Sequence, residues 1–191
     1  MSLPHAILTA LLEKPSSGLE LTRRFDRSIG YFWSASHQQI YRELGKLERA
    51  ELIRALPTDS PTRGQRKEYE VLAAGRTELE RWVGDTEEPR SLRDTLMLRV
   101  RATGVVGVDS DFVAELRRHR ELHGERLAEY REFQRRDTAR GRGTERDRVQ
   151  GLVLQGGVEL EMFWVNWLDK AIAELGDTKD PNGGASPSRS S

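Results

Sequence analysis

The chain contains no cysteine. Disulfides, thiolate metal sites and cysteine nucleophiles are therefore excluded. It also lacks an excess of either charge: 31 Lys and Arg balance 31 Asp and Glu, for a formal net charge of +0. A global pull on nucleic acid is excluded, so any such binding must rest on a local patch. No long apolar run is present; the longest lies near Ala6 to Leu12, far too short to cross a bilayer. Met1 leads directly into a helical pattern with no basic segment ahead of a leader-type stretch, so no signal peptide is expected. The expectation is a soluble, cytoplasmic protein without a membrane partner. The motifs of common chemistry are missing too: phosphate loop, Ser-His-Asp order, nucleophile elbow and dinucleotide fingerprint. No catalytic residue, resident metal or cofactor is expected.

What is present is mostly helical periodicity. At 191 residues, 32% charged and 36% hydrophobic, the chain suits one large or two small helix-rich domains. Ser2 to Glu13 carries Leu3, Ile7, Leu8, Leu11 and Leu12 at helical spacing, with Ser2 as N-cap. Lys14 to Ser17 breaks it. Ser17-Gly18-Leu19-Glu20 has the form of a capping box and opens a second helix, ending near Gly30 before Tyr31-Phe32-Trp33. Ser36-His37-Gln38-Gln39 is a second such box. Its helix runs to about Ala50, with Ile40, Leu44 and Leu47 on one face and Gln38, Gln39, Arg42, Lys46 and Arg49 on the other.

The period then changes. Leu52 to Leu56 and Lys67 to Leu72 read as strands joined by a Pro- and Gly-containing turn from Pro57 to Gly64. From Arg54 to Lys67, four basic side chains face one acidic one, a local charge of +3. A fourth helix spans about Ala73 to Val83. Ser91 opens a fifth, Gly104 to Gly107 interrupts, and Asp109 or Ser110 caps a long helix to about Arg136. Arg140 to Gly143 is a link. The last helix, Thr144 to Leu175, carries a wide apolar stripe. Asp177 to Ser191 is Gly-, Pro- and Ser-rich and is expected to be disordered. The domain bounds expected are 1–84, three helices with a hairpin wing and a fourth helix; 85–176, a helical domain; and the tail 177–191. The fold class is mainly α with a small β-hairpin wing.

Three helices followed by a basic hairpin is the order of a winged helix-turn-helix. Buried Ile40, Leu44 and Leu47 would turn amides and guanidiniums toward a major groove. The positive start of that helix, with Ser34 and Ser36, suits a phosphate. The hairpin would place Arg63, Arg66 and Lys67 on the DNA backbone or in the minor groove. Against this, charge on a helix face is more often plain solvated surface. Two rivals stay open: a winged-helix adaptor that binds protein and no DNA, and a small-molecule-binding or enzymatic helical protein.

The run Ser36 to Glu48 resembles the recognition helix of PadR-family transcriptional regulators. Phe32-Trp33, the wing Gly64 to Tyr69, the opening Ser2 to Leu8 and the turn Ser17 to Leu21 fit the same pattern. Residues from about Pro89 to Leu175 resemble the helical C-terminal domain of the virulence-activator-like branch, at Arg93-Asp94, Leu127 to Tyr130 and Trp164 through Ile172. The resemblance implies a homodimer on an inverted repeat in promoter DNA, usually a repressor, often released by a small effector. It places Gln38, Gln39 and Arg42 on bases, and Ser36, Tyr41 and Lys46 on phosphates. Arg63, Arg66 and Lys67 become wing contacts. His37 lies either on DNA or beside the cap, and the Tyr41 ring is also a candidate for partial burial. One departure stands out: the family's Thr N-cap before the fourth helix is absent here, where the chain reads Leu72-Ala73-Ala74-Gly75. That weakens the helix start by about 1 kcal/mol.

In the last helix, Leu152, Gly156, Leu160, Phe163, Trp164 and Trp167 are the candidates for a face against a second copy. Gly156-Gly157 suggests a close helix crossing there. Intrachain packing is the competing reading, and for Met162, Phe163, Trp164 and Trp167 core packing outweighs a ligand pocket. Glu115, His119 and His123 share a helix face, where a solvated surface outweighs a metal site. Glu159 and Glu161 look like ordinary surface.

Overall fold

The computed structural model describes residues 3–25, 35–57, 67–89, 91–140 and 143–176, with backbone alone at 138–140. The chain divides into two compact units, Met1–Arg90 and Ser91–Ser191.

The first unit holds α1 (Leu3–Glu13), β1 (Ser16–Ser17), α2 (Gly18–Arg24), α3 (His37–Arg49), β2 (Ile53–Ala55), β3 (Glu68–Val71) and α4 (Ala73–Val83). Its core joins Ile7, Leu8 and Leu11 of α1, Leu21 and Phe25 beside them, Ile40, Leu44 and Leu47 of α3, and Ile53. Each fully buried aliphatic side chain contributes about 1.5–3 kcal/mol relative to exposure. That burial fixes α3's rotation: its apolar stripe points inward, so the other face must point out.

Both capping boxes form. Ser17 Oγ accepts from the Glu20 amide while Glu20 accepts from the Ser17 amide at 2.9 Å. Arg24 closes the other end of α1, donating to the Ala10 carbonyl at 2.7 Å and to Glu13 at 2.6 Å. The Ala10 carbonyl also accepts from the Lys14 amide at 3.2 Å, and a cation suits that end of the helix.

The sheet departs from the expected two-strand hairpin. It has three antiparallel strands in the order β1-β3-β2. Ser16 pairs with Tyr69 and Ser17 with Glu68, while Ile53 faces Val71 and Ala55 faces Tyr69. Ser17 thus ends a strand and caps a helix at once. At α4, Leu72 stands at the N-cap with no side-chain hydrogen bond, as the missing Thr implies. Gly75 is required here, because a Cβ would lie 2.2 Å from the Leu52 carbonyl oxygen. His5 ties α1 to α4, stacking on Trp82 at 4.4 Å between centroids and bonding Glu78 at 3.1 Å. Arg81, and then His5, hold the Glu78 carboxyl down at about 2.

The second unit holds α5 (Thr95–Val106), α6 (Ser110–Arg140) and α7 (Glu145–Gly176). α5 starts at Asp94, which caps the Met97 amide at 2.8 Å, rather than at Ser91. Gly104 does not interrupt it; the helix ends at Gly107, whose φ of 84° suits glycine. Asp109 caps α6, accepting from the Phe112 amide at 2.7 Å. Thr144 and Asp147 cap α7 reciprocally.

α6 and α7 run antiparallel along a seam. α7 turns Leu154, Val158, Val165 and Leu168 inward, and α6 answers with Val113, Leu116, Leu127 and Tyr130. Polar pairs cross it, among them Arg120 with Asp169 at 2.9 Å, His123 with Glu161 at 2.5 Å, and Gln134 with Gln155 at 2.6 Å. Glu161 is only 7% exposed, so it is not the surface residue expected. A buried carboxylate needs a partner, and His123 supplies one. Among the described residues no helix is long and apolar enough to cross a membrane.

Candidate nucleic-acid interface

The outward face of α3 is the most polar feature the first unit fixes in place. Ser36, its N-cap, accepts from the Gln39 amide at 3.3 Å, and Gln39 Oε1 accepts from the Ser36 amide at 2.8 Å. The side-chain oxygen of Gln39 is thereby spent on the helix start. The amide's NH2 group stays exposed. His37, Gln38 and Arg42 are exposed as well, and among the described residues none of their side chains has a hydrogen bond or ion pair.

Tyr41 is partly packed against its own chain. Its ring packs over Gly18, where a Cβ would come within 2.5 Å of it, yet the residue remains 52% exposed. It braces α3 against the start of α2 while presenting part of its surface. Lys46 is exposed but bonds Glu43 at 2.9 Å.

Lys67 sits just before β3 and is exposed. Its ammonium donates to both Glu48 oxygens, at 2.7 and 2.9 Å, and lies 5.2 Å from the Tyr69 ring centre. The hydrogen bond to Glu48 holds the Lys67 pKa above the ordinary lysine value. So Lys67 clamps the base of the wing to the end of α3. Sequence reasoning missed Glu48 in this role, since 19 residues separate the two and no local spacing joins them. Arg54 pairs with Glu70 at 2.6 Å across the strands below. Arg63 and Arg66, expected at the wing tip, lie outside the described residues, as do Ser34, Phe32 and Trp33.

The expected dimer residues on α7 split. Leu152 and Leu160 are 72% and 54% exposed, and Phe163 45%. A Cβ at Gly156 would meet nothing within 4 Å, whereas one at Gly157 would meet the Tyr130 ring at 3.3 Å. Trp167 packs into its own unit beside Leu96, Leu116 and Leu168. Trp164 stacks on His123 at 5.3 Å and meets Trp167 edge-on at 5.7 Å. The Glu115, His119 and His123 face does not converge either. Glu115 bonds Arg118 and His119, while His123 turns to Glu161. Among the described residues no group of three acidic or His side chains is placed to hold a metal ion.

A small core of helices with a three-strand sheet, followed by a long helical hairpin, defines a winged-helix protein with a helical C-terminal unit. Residues 7–81 match the transcriptional regulator PadR-like family, and residues 92–176 match the virulence activator alpha C-terminal domain. A probable transcriptional regulator of Mycobacterium tuberculosis, Rv1176c, is 38% identical over 92% of this chain and 98% of its own length. The structure of the Vibrio cholerae virulence activator AphA superposes with a TM-score of 0.78 at 30% identity, covering 93% of this chain and 100% of that one. Bacillus subtilis PadR, solved in complex with operator DNA, superposes with a TM-score of 0.78 at 26% identity, covering 91% and 97%. That protein, a negative transcriptional regulator, is 36% identical over 51% of this chain and 54% of its own. It has also been solved with p-coumaric acid, where the TM-score is 0.72 at 25% identity, covering 92% and 96%. The chain belongs to the PadR-like family of transcriptional regulators.

Proposed function

We propose that the chain is a homodimeric regulator that binds an inverted-repeat operator in duplex DNA, without catalysis, in the cytoplasm. The observation that carries this is the outward face of α3. Gln38 and Arg42 stand exposed there, without side-chain partners among the described residues, on a helix whose rotation the buried stripe fixes. Amide and guanidinium groups are the side chains that read base edges in the major groove. The likeness to PadR with operator DNA supports the same reading. Ser36, His37, Tyr41 and Lys46 would flank the contact, and Arg63 and Arg66 would extend it at the wing. Lys67 would act by holding the wing.

The dimer rests on a second observation. α7 leaves Leu152, Leu160 and Phe163 outward on one face with Gly156. A second copy would cover that stripe and set two α3 helices about one helical turn of DNA apart, near 34 Å. The sign we propose is repression, on the likeness to a negative regulator. Release by a small-molecule effector completes the reading, supported by the neighbour solved with p-coumaric acid. Release would act by shifting the population of DNA-competent dimers.

Fluorescence anisotropy tests the core of the proposal. A duplex from the chain's own upstream region is compared with a scrambled one at two salt concentrations. Selective, salt-sensitive binding that Arg42→Ala removes is the expected result. Equal weak binding to both, followed by a failed selection from random DNA, would overturn it. A promoter–reporter assay then separates repression from activation.

A further inference from the structure

Three glycines of the first unit meet different surroundings. Gly75 is forced by the Leu52 carbonyl and Gly18 by the Tyr41 ring. Gly45, in the middle of α3, is not forced by its described neighbours. Among the described residues, and apart from α3's own backbone and the adjoining residues, a Cβ there would meet only the Arg49 guanidinium, at 3.4 Å. Glycine is among the poorest helix formers, so its use in this helix calls for a reason outside the chain.

Gln38, Arg42, Gly45 and Arg49 follow one another at steps of four, three and four. That spacing puts all four on one stripe, directly opposite buried Ile40, Leu44 and Leu47. Long helical side chains lean back toward the N-terminus. Arg49 does so, and its guanidinium lies along the bare backbone at Gly45, one turn below Arg42. The two acidic residues of α3 do not hold it: Glu43 is taken by Lys46 and Glu48 by Lys67.

We propose that Arg49, laid across the notch at Gly45, is a further DNA-contacting residue that grips a backbone phosphate beside the bases read by Gln38 and Arg42. The notch lets the duplex approach the helix closely, and the planar guanidinium suits bidentate contact with phosphate oxygens. This deepens the DNA-binding reading of α3 and rests on it.

The experiment uses the full chain and a duplex recovered from random DNA by selection with the unaltered protein. Dissociation constants are measured across a salt series for Arg42→Ala, Arg49→Ala, Arg49→Lys and Gly45→Ala, with folding checked by circular dichroism. Arg49→Ala should weaken binding about tenfold. It should also flatten the plot of log affinity against log salt by about 0.9 per α3. Arg49→Lys should keep the slope, because it keeps the charge. Gly45→Ala should raise the melting temperature, as alanine favours the helix, and yet weaken binding several-fold. Arg49→Ala with unaltered affinity and slope, while Arg42→Ala abolishes binding, would overturn this inference alone. Gly45→Ala gaining stability at no loss of affinity would overturn the notch. Failure of selection, or an Arg42→Ala protein that binds as before, would overturn the α3 reading and this inference together.

Discussion

α3 and α7 each turn one face away from their own chain, and the two faces differ in chemistry. α3 presents Gln38 and Arg42, which water solvates at little cost until something binds. α7 presents Leu152, Leu160 and Phe163, which water does not solvate well. A polar pair with no side-chain partner among the described residues suits a ligand that is optional. An apolar stripe on a 32-residue helix favours a permanent cover, which the proposed second copy would supply. On the proposed reading, the first would meet DNA and the second a second copy of the chain.

Breaking the apolar side of this contrast should have the largest effect. Leu152→Glu with Leu160→Glu should convert a dimer to a monomer in sedimentation velocity, since each buried leucine is worth about 1.5–3 kcal/mol. Operator binding should fall with it. A wild-type chain that sediments as a monomer at all concentrations would sink the contrast. Next, Arg42→Ala should cost about 1–3 kcal/mol in operator binding while leaving sedimentation and melting temperature unchanged. A fall in stability of similar size would mean that Arg42 serves the fold instead.

Ser36→Ala sharpens the boundary between the two roles. It removes an N-cap, so stability should fall by about 1 kcal/mol in denaturant unfolding. Binding should weaken too, because the start of α3 frays. Smallest of all, Lys67→Gln breaks an exposed ion pair worth no more than about 1 kcal/mol. If Lys67 positions the wing, affinity falls slightly and the salt slope stays. A slope that drops by about 0.9 would make Lys67 a phosphate contact after all.

Much of this was legible locally. The Ser17–Glu20 and Ser36–Gln39 boxes are four-residue patterns whose partners lie one turn away, and both form. Ile40, Leu44 and Leu47 follow helical spacing, and all three are buried. The absent cap at Leu72 was visible as an absent side chain. What escaped depends on distant partners. Two serines, Ser16 and Ser17, carry no strand signal; they become a strand because Tyr69 and Glu68 offer an open edge. Gly104 looked like a break because glycine lowers helix propensity, but the turns around it hold the helix through Val106.

Periodicity and capping chemistry, which act within one or two turns, determined the helices, the buried stripe of α3 and hence the polar face opposite. They also set the apolar width of α7. Only the tertiary structure decided which of those side chains remain available. It turned Lys67 to Glu48 and gave His123 the buried Glu161. It packed Trp167 against the core of its unit and set Gly45 beneath Arg49. Each of these depends on which side chains meet across helices and strands, and that follows from how the elements pack, which no local spacing encodes.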